Sequence, residues 1–262
     1  MNGPAPWVAA RGADSGECFG LDASQADYER LGEPITNRIL RALSPATFER
    51  VFPQLEPVQL KRRAVIYASG DHADMVYFVN RGMVSLMKPM QDGAVVEVGV
   101  VGREGAICFS SVLGVREAVL ESVVYIPGAA LRMNAGAFRR EMDGDGAFRA
   151  LIQRYAAFSL AQIAQTAACS ALHLLNERCC RWLLVAGDNA GADAFPITHE
   201  FLALLLGVQR PSVSLAAGAL QRAGLITYEK GYVTILDREG LEASACECYR
   251  TVRSRLEDVF AG

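Results

Sequence analysis

Hydrophobic and polar residues are patterned differently in the two halves of the chain, with a β-rich part first and a helical part after it. Over Val58–Arg132, short runs rich in β-branched and aromatic residues alternate with Gly-bearing turn signals such as Arg81-Gly82 and Pro127-Gly128. Short strands at this spacing are typical of an antiparallel sandwich or barrel. We predict strands over Ala64–Tyr67, Met75–Val79, Val84–Met87, Val95–Val101, Ser122–Ile126 and Ala130–Met133.

Helical periodicity appears on both sides of this β-rich part. Ahead of it, Ile35–Leu43 predicts one short helix, and Ser44-Pro45 supplies the N-cap and first residue of a second helix ending at Val51. After it, a long helix is predicted over 146–172, followed closely by another over Leu174–Val185. The apolar positions of the long helix form two adjoining stripes: Phe148, Leu151, Tyr155 and Phe158, and Ile152, Leu160 and Ile163.

The apolar surface of the long helix is wide enough to be buried on two sides. We expect one side to pack on the β-rich part and the other on a second copy of the chain. The alternative is an internal core helix of a monomer. Gln162 and Gln165 interrupt the apolar surface. They are either solvated or a polar element that fixes the pairing register, as buried amides can do.

The most informative segment is Thr198–Ile226, which fits a helix-turn-helix. Such a motif needs a small residue in its first helix, Gly in the turn and a branched apolar residue that seals the second helix. Three framework residues fall at that spacing: Ala203, Gly207 and Val213. Thr198 is suited to be the N-cap of the first helix, and Pro211 fits the opening turn of the second. As an alternative, any helical hairpin with a tight turn would show the same residue types at this spacing.

The continuation of the chain favours the DNA-binding interpretation. Thr227–Lys230, Gly231 and Tyr232–Leu236 indicate a β-hairpin wing with a Gly turn. Charge gives modest support, because 198–232 holds three bases against two acids, whereas over 173–262 acids outnumber bases. Phosphate contacts from one subunit are therefore few, and a dimer on a two-fold DNA site is the physically reasonable form.

Composition limits the remaining classes. The chain has 262 residues, 51% of them hydrophobic, and a formal net charge of −3, which excludes a uniformly basic nucleic-acid binder. No apolar run reaches the roughly 18–20 residues of a membrane span, and the N-terminus lacks the features of a secretory signal, so we expect a cytoplasmic protein without a membrane partner. Seven cysteines are then expected to be reduced thiols. Residues 1–33, rich in Gly, Ala, Pro, Ser and Asp, predict a disordered extension.

These motifs together resemble the Crp/Fnr family of bacterial transcription regulators over roughly 35–250. The line Ala64–Ser85 is similar to the family's cyclic-nucleotide-binding-type fold, Thr198–Ile226 resembles its reading head, and Ala245–Tyr249 is like the C-terminus of one subgroup. The resemblance implies an α+β fold with an N-terminal antiparallel β-roll of the jelly-roll type as sensor domain (34–145), a dimerisation helix (146–172) and a C-terminal winged helix-turn-helix (173–262). It also implies a homodimer, double-stranded DNA as partner, a possible small-molecule effector, and RNA polymerase as a further partner if the protein is an activator. No cofactor is expected.

The resemblance assigns candidate DNA contacts. Arg210 matches the family's arginine that contacts guanine edges in the major groove. Pro211 replaces the family's usual following glutamate, and Leu215 replaces a further arginine of the cyclic-AMP-responsive members. The half-site should therefore differ from theirs. We expect Arg210 and Ser214 to contact bases, and Thr198, Ser212 and Lys230 to contact phosphates. For the two serines, simple helix solvation is the alternative.

An effector pocket is harder to assign from the resemblance. The family's phosphate-binding Gly-Glu is matched to Gly102, Glu104 and Gly105, and its neutralising arginine falls near Ala118 and Val119, with Arg116 close by. The adenine-contacting hydroxyl pair of the long helix falls near Ile163. A phosphate buried beside Ala118 and Val119 would lack a partner, so cyclic AMP is disfavoured as the signal.

Other chemistries find little support. An iron–sulfur cluster needs four thiolates, and Cys18 is the sole N-terminal cysteine. Haem would need an axial ligand, and His72 falls in a turn. Cys246 and Cys248 suggest a metal, but the three histidines are not spaced to complete a tetrahedral site. A redox-responsive thiol stays open, with Cys179-Cys180 expected as buried packing thiols.

Two further classes of protein remain as alternatives. One is a Cys–His hydrolase using Cys108 or Cys169 with His173 or His199, although no motif of a catalytic nucleophile appears. The protein is therefore not expected to be an enzyme. The other is a degenerate sensor that binds a partner protein and no DNA. We predict neither catalytic nor metal-binding residues.

Overall fold

The computed structural model describes residues 34–261, together with the backbone of two short strands, β1 (Phe19–Gly20) and β2 (Gly32–Glu33), which pair in parallel. The extension predicted over 1–33 otherwise lies outside the described residues. Within them the chain forms an antiparallel β domain, a long helix and a C-terminal helical unit with a small sheet. This is the α+β architecture that the sequence predicts.

The β domain is one six-stranded antiparallel sheet that is folded on itself. The order of its main strands is β3-β8-β5-β6; β4 pairs with β8, and β7 pairs with β5. Its inner face holds a core of Val, Leu, Ile and aromatic side chains. The strands are β3 (Glu56–Leu60), β4 (Val65–Tyr67), β5 (Met75–Pro89), β6 (Val95–Val101), β7 (Ala106–Ile107) and β8 (Glu121–Asn134).

Two turns predicted from the sequence are wrong, since β5 and β8 run without a break through Arg81-Gly82 and Pro127-Gly128. The two strands pair with each other, and their register shifts at these residues. A Cβ on Gly82 would lie 2.5 Å from the carbonyl oxygen of Ile126, and one on Gly128 would overlap the carbonyl of Arg81. The glycines therefore let two bent strands cross closely, and they do not reverse the chain.

Ten helices surround and follow the sheet within the described residues. Ser44 caps the second as predicted, with its hydroxyl accepting from the Thr47 amide; the first is shorter than predicted because Asn37 caps it. The helices are α1 (Arg38–Arg41), α2 (Pro45–Val51), α3 (Phe109–Leu113), α4 (Ala135–Gly144), α5 (Gly146–Leu172), α6 (Leu175–Ala190), α7 (His199–Leu205), α8 (Arg210–Arg222), α9 (Arg238–Ser244) and α10 (Cys248–Phe260), with a short 3-10 turn over Phe52–Gln54.

The long helix α5 has the bounds predicted from its periodicity. The Asp145 carboxylate caps it by accepting from the amides of Ala147 and Phe148, and it ends at His173. The prediction that the interrupting glutamines are solvated is wrong for Gln162, while Gln165 is half-buried; a role in the pairing register stays a prediction. Gln162 is buried and its Oε1 accepts from the Val100 amide at 2.9 Å, so this amide joins the helix to β6 of the same chain.

The C-terminal unit packs directly on the β domain. Tyr125 of β8 stacks on Phe201 of α7 at a centroid distance of 5.0 Å, and its hydroxyl donates to the Pro196 carbonyl. The indole of Trp182 in α6 donates to the Glu97 carboxylate of β6 at 2.8 Å. These contacts merge the cores of the two units into one hydrophobic cluster.

Within the described residues, no single helix has the length and apolar composition to cross a membrane. The bent pair α7 and α8 meets those two criteria jointly, on length and composition alone.

Candidate nucleic-acid interface and effector cavity

The first helix of the reading head, α7, begins at Thr198. The Thr198 hydroxyl oxygen accepts from the Phe201 amide at 3.2 Å, which confirms the predicted N-cap. Since the hydroxyl accepts this bond, its proton stays available for an acceptor outside the helix. Ala203 is buried in the middle of α7, where a larger side chain would separate the helices.

The turn between the helices depends on Gly207. This residue has a φ of +64°, a left-handed conformation that strains most side chains, and the axes of α7 and α8 differ by 109°. An angle near this value is typical of a helix-turn-helix. Val213 of α8 is fully buried and joins Ala203 in the hydrophobic cluster that the C-terminal unit shares with the β domain, whereas Gly207 is exposed in the turn.

The second helix, α8, presents a polar edge to solvent at its N-terminal end. Arg210 is its first residue, Pro211 lies in its opening turn as predicted, and both are exposed together with Ser214. Ser212 is half-buried. Leu215 is 75% exposed, which places an apolar side chain on the same outward face.

Behind this edge, His199 holds Ser214 in place. Its Nδ1 lies 3.0 Å from Ser214 Oγ, which also lies within hydrogen-bond distance of the Arg210 carbonyl. The imidazole packs on the Tyr228 ring at 4.2 Å. Burial, with the Arg210 charge as a smaller cause, lowers the pKa of His199, so the ring is neutral near pH 7. Sequence reasoning missed this role, because nothing in the spacing links His199 to Ser214.

The wing is a three-stranded antiparallel sheet. Its hairpin, β10 (Ile226–Glu229) and β11 (Tyr232–Ile235), confirms the prediction, whereas the third strand, β9 (Ala194–Pro196), was not predicted. Lys230 and Gly231 form its two-residue loop, with φ values of +49° and +82°. Positive φ at both positions is the signature of a tight hairpin turn and leaves the Lys230 side chain exposed at the tip.

A cavity of about 500 Å³ lies between the β domain and the long helix. Three of the seven predicted effector residues line it: Ala118, Val119 and Ile163. Among the described residues that line it, none carries a charge; their polar groups are the hydroxyls of one tyrosine and three serines and the thiol of Cys108. The described residues of the lining are Tyr67, Ala73, Met75, Leu86, Ile107, Cys108, Phe109, Ser110, Ser111, Leu113, Ala118, Val119, Leu120, Ser122, Ala156, Ala157, Leu160 and Ile163.

The other four predicted effector residues lie elsewhere. A Cβ on Gly102 would overlap Asn189 of α6, and one on Gly105 would overlap Tyr155 of the long helix, so these glycines permit close packing. Glu104 is buried, and its carboxylate accepts from the Gly102 amide at 2.7 Å. Arg116 lines a separate surface depression. The loop after β7 reaches the cavity instead, through Cys108 and α3, a placement that the family resemblance did not indicate.

A second cavity, of about 270 Å³, separates the β domain, α6 and α10. Glu104 and Glu97 line it, and both are buried. Burial raises the pKa of Glu97 to about 7, although its hydrogen bond from Trp182 acts in the opposite direction. Burial likewise raises the pKa of Glu104. These carboxyls lie between the β domain and the C-terminal unit.

The cysteines and histidines singled out from the sequence have three kinds of environment in the structure. Burial raises the pKa of Cys108 to about 12, so this thiol is protonated near pH 7 and is a weak nucleophile. Cys179 and Cys180 are buried in the core, as predicted, and His72 is exposed. The third environment is a group that the chain brings together from two distant segments.

The thiol–imidazole cluster consists of Cys169, His173, Cys246 and Cys248, whose ligand atoms all lie within 4.8 Å of one another. The expectation that no histidine could join Cys246 and Cys248 is therefore wrong. Spacing along the chain misled that argument because the cluster joins the end of the long helix to a segment more than seventy residues later. Cys169 and Cys246 carried no signal of this proximity in the sequence.

Two family models match separate parts of the chain. The cyclic nucleotide-binding domain matches residues 57–145, and the Crp-like helix-turn-helix domain matches residues 177–244. No curated protein matches the sequence.

Solved structures share the fold at low sequence identity. A CRP-family transcriptional regulator from Thermus thermophilus is 21% identical (TM-score 0.61), covering 72% of this chain and 96% of that one. FixK2 from Bradyrhizobium japonicum is 16% identical (TM-score 0.64; 73% and 98% covered). The c-di-GMP responsive global regulator CLP from Xanthomonas campestris is 18% identical (TM-score 0.61; 73% and 99% covered). With a cyclic nucleotide-binding domain followed by a Crp-like helix-turn-helix, the chain belongs to the Crp/Fnr family of transcription regulators.

Proposed function

We propose that the protein is a homodimeric, sequence-specific DNA-binding regulator, whose β domain responds to a small uncharged, apolar effector and not to cyclic AMP. The observation that carries the DNA part is the exposed N-terminal edge of α8, where Arg210 and Ser214 project from a buried framework. A helix held in this way presents side chains to base edges in the major groove.

The phosphate contacts are proposed from position. Thr198 lies at the N-terminus of α7, and Lys230 lies at the exposed tip of the wing. Ser212 lies in the first turn of α8, where backbone amides also favour phosphate oxygens. Ser214 is supported as a base contact because its hydroxyl is held by His199 and is still exposed. Ordering a side chain before binding lowers the entropic cost of binding.

Dimerisation is supported by a row of exposed residues along the long helix, two of which, Ala157 and Leu160, also line the cavity. The exposed residues recur at alternating spacings of four and three, the repeat of a two-stranded coiled coil: Gln153, Ala157, Leu160, Ala164, Ala167 and Ala171. Leu160 is 66% exposed in the single chain, and a second copy would cover it. We expect Ala164→Glu to shift the protein towards monomer in sedimentation experiments, with Ala147→Glu at the exposed start of the helix as control.

The effector class is inferred from the cavity lining. Cyclic AMP carries a phosphate charge, and burying it without a cationic partner is costly. The cavity of about 500 Å³ is within the size range of small-molecule sites, which are largely apolar with a few polar groups. An uncharged apolar molecule with one or two hydrogen-bonding groups fits this lining best. Among the described residues that line the cavity, Cys108 supplies the thiol, and burial raises its pKa to about 12, which disfavours it as a redox-responsive group.

The test is selection of bound sequences from a random DNA pool, with wild type and Arg210→Ala in parallel at one fixed salt concentration. We expect wild type to enrich a two-fold motif with half-sites about one helical turn apart. Arg210→Ala should lose preference at the guanine positions. Salt-sensitive binding by both proteins without any motif would contradict sequence-specific recognition. Absence of binding, also after addition of cell extract, would favour a regulator that acts through protein partners.

A further inference from the structure

The thiol–imidazole cluster has the geometry of a metal site, although the sequence predicts none. Cys169 Sγ and Cys246 Sγ are 3.6 Å apart, and Cys248 Sγ and His173 Nδ1 are 3.5 Å apart. In a tetrahedral zinc site, bonds of about 2.3 Å to sulfur and about 2.0–2.1 Å to nitrogen place two sulfurs about 3.8 Å apart and a sulfur and a nitrogen about 3.6 Å apart. The cluster is already close to both separations.

Local structure explains how four ligands converge. Cys169 lies in the last turn of the long helix and His173 caps its end four residues later, so both point to the same side. Cys246 and Cys248 lie where the chain passes from α9 into α10, in a turn closed by the Tyr249 amide donating to the Cys246 carbonyl. The three sulfurs are buried in a group of their own, separate from the apolar cores.

The surroundings of the cluster orient its ligands. His173 Nε2 lies 3.1 Å from the Glu247 carboxylate, which leaves Nδ1 directed at Cys248. Gln165 donates from Nε2 to the Cys248 sulfur at 3.0 Å. A carboxylate on the distal histidine nitrogen and an N–H donor on a ligating sulfur are typical outer contacts of metal sites. Packing thiols alone would not require an imidazole held in this way.

We propose that the thiol–imidazole cluster binds one zinc ion as a structural site with three thiolates and one imidazole. Soft thiolate ligands with an imidazole in a tetrahedral arrangement favour Zn²⁺ over hard cations, and four protein ligands leave no open position for catalysis. Binding releases the thiol protons to solvent, and no electron transfer is needed.

The ion would tie two parts of the protein together. Two ligands belong to the end of the long helix, immediately before the break at His173 and Leu174 where α6 begins. The other two join α9, which packs on α6, to α10, which packs along the long helix. Zinc would therefore fix the hinge between the dimerisation helix and the reading head. This consequence for DNA binding rests on the proposed function; zinc binding itself does not.

The first experiment measures zinc on the tag-free full-length protein, reduced, loaded with Zn²⁺ and desalted. We expect one zinc per chain by elemental analysis, and the thiolate-to-metal absorption of a tetrahedral site after exchange with Co²⁺. Cys246→Ser and Cys248→Ser should abolish both signals, whereas Cys108→Ala and His72→Ala retain them. Glu247→Gln should weaken zinc binding roughly 10–100-fold in chelator competition. Zinc content at background, or equal in wild type and Cys248→Ser, would overturn the proposal, as would a Cys169–Cys246 disulfide that persists in reductant.

The two proposals fail in different ways. Wild type that holds zinc but selects no DNA motif refutes the proposed function and leaves the site standing. If the wild type selects a motif but binds no zinc after loading, the zinc site is refuted and the proposed function stands. If both hold, removal of zinc with a chelator should weaken DNA binding at least tenfold, and restoring Zn²⁺ should recover it. Equal DNA affinity of the zinc-free and zinc-loaded proteins would refute the hinge role.

Discussion

The reading head and the effector cavity are built in opposite ways. The framework of the reading head, from Thr198 to Val213, lies within one short stretch of chain, and its buried members Ala203 and Val213 belong to one hydrophobic cluster. The cavity draws its lining from residues as far apart as Tyr67 and Ile163. The reading head has an arginine at its exposed edge, whereas none of the described residues that line the cavity is charged. This difference is the basis of the proposed function, in which the reading head binds DNA and the β domain responds to a signal other than cyclic AMP.

The largest expected effect is a loss of specific DNA binding by the reading head. Under the proposed function, Arg210→Ala removes a bidentate contact of roughly 1–3 kcal/mol from each half-site, and a dimer loses it twice. We expect specific DNA affinity to fall by roughly 2–6 kcal/mol, with thermal stability unchanged because Arg210 is exposed. Fluorescence anisotropy on the selected site measures this. A fall of equal size with Arg222→Ala, at the far end of α8, would contradict a specific role for Arg210.

The next effect concerns Glu97, which lines the second cavity between the β domain and the C-terminal unit. Glu97 has a pKa of about 7 in the folded protein, above its ordinary value of 4.5. The folded state therefore holds a proton that the unfolded state loses, and stability falls as pH rises from about 4.5 to 7. We expect Glu97→Gln to remove this slope and to stabilise the protein above pH 7 by at most about 3 kcal/mol.

Denaturant unfolding at pH 5 and pH 8 checks this, with the exposed Glu200→Gln as control for loss of an acid. The neighbouring Arg181 favours the charged carboxylate, so its removal should steepen the slope. A Glu97→Gln variant less stable than wild type at pH 8 would contradict a buried carboxyl that ionises at a cost.

The next prediction tests the cavity between the β domain and the long helix by filling it with a larger side chain. Ala156 of the long helix lines the cavity, and a phenyl ring there would occupy much of its apolar space. We expect Ala156→Phe to weaken binding of the neutral apolar dye Nile red by roughly tenfold, a cost typical of overpacking. Ala147→Phe, at the exposed start of the same helix, is the control. Equal dye binding by both variants would show that the dye binds elsewhere.

The smallest effect concerns the wing. Lys230→Ala should weaken DNA binding by about 1 kcal/mol or less, equally for all sequences, because a phosphate contact carries no sequence information. The slope of affinity against salt should fall by about one for each phosphate that is no longer neutralised. Titrations at several salt concentrations measure it. A change in the selected motif would indicate that Lys230 reads bases instead.

The sequence predicted what depends on short-range pattern. The bounds of the long helix, the caps at Ser44 and Thr198 and the reading head all follow from spacing within a few turns. The continuous strands β5 and β8 did not, because a glycine that lets strands cross looks like a turn. The sequence also did not predict the thiol–imidazole cluster, because its ligands come together through packing between distant segments.

The most direct test of the central claim is thermal unfolding of one zinc-loaded preparation alone, with the selected DNA duplex, and with cyclic AMP. A ligand that binds the folded state raises the melting temperature, and the rise grows with the logarithm of its concentration relative to its Kd. We predict that the duplex raises it and that cyclic AMP leaves it unchanged. Stabilisation by cyclic AMP together with none by the duplex would contradict the account, because the cavity would then hold a phosphate and the reading head no DNA.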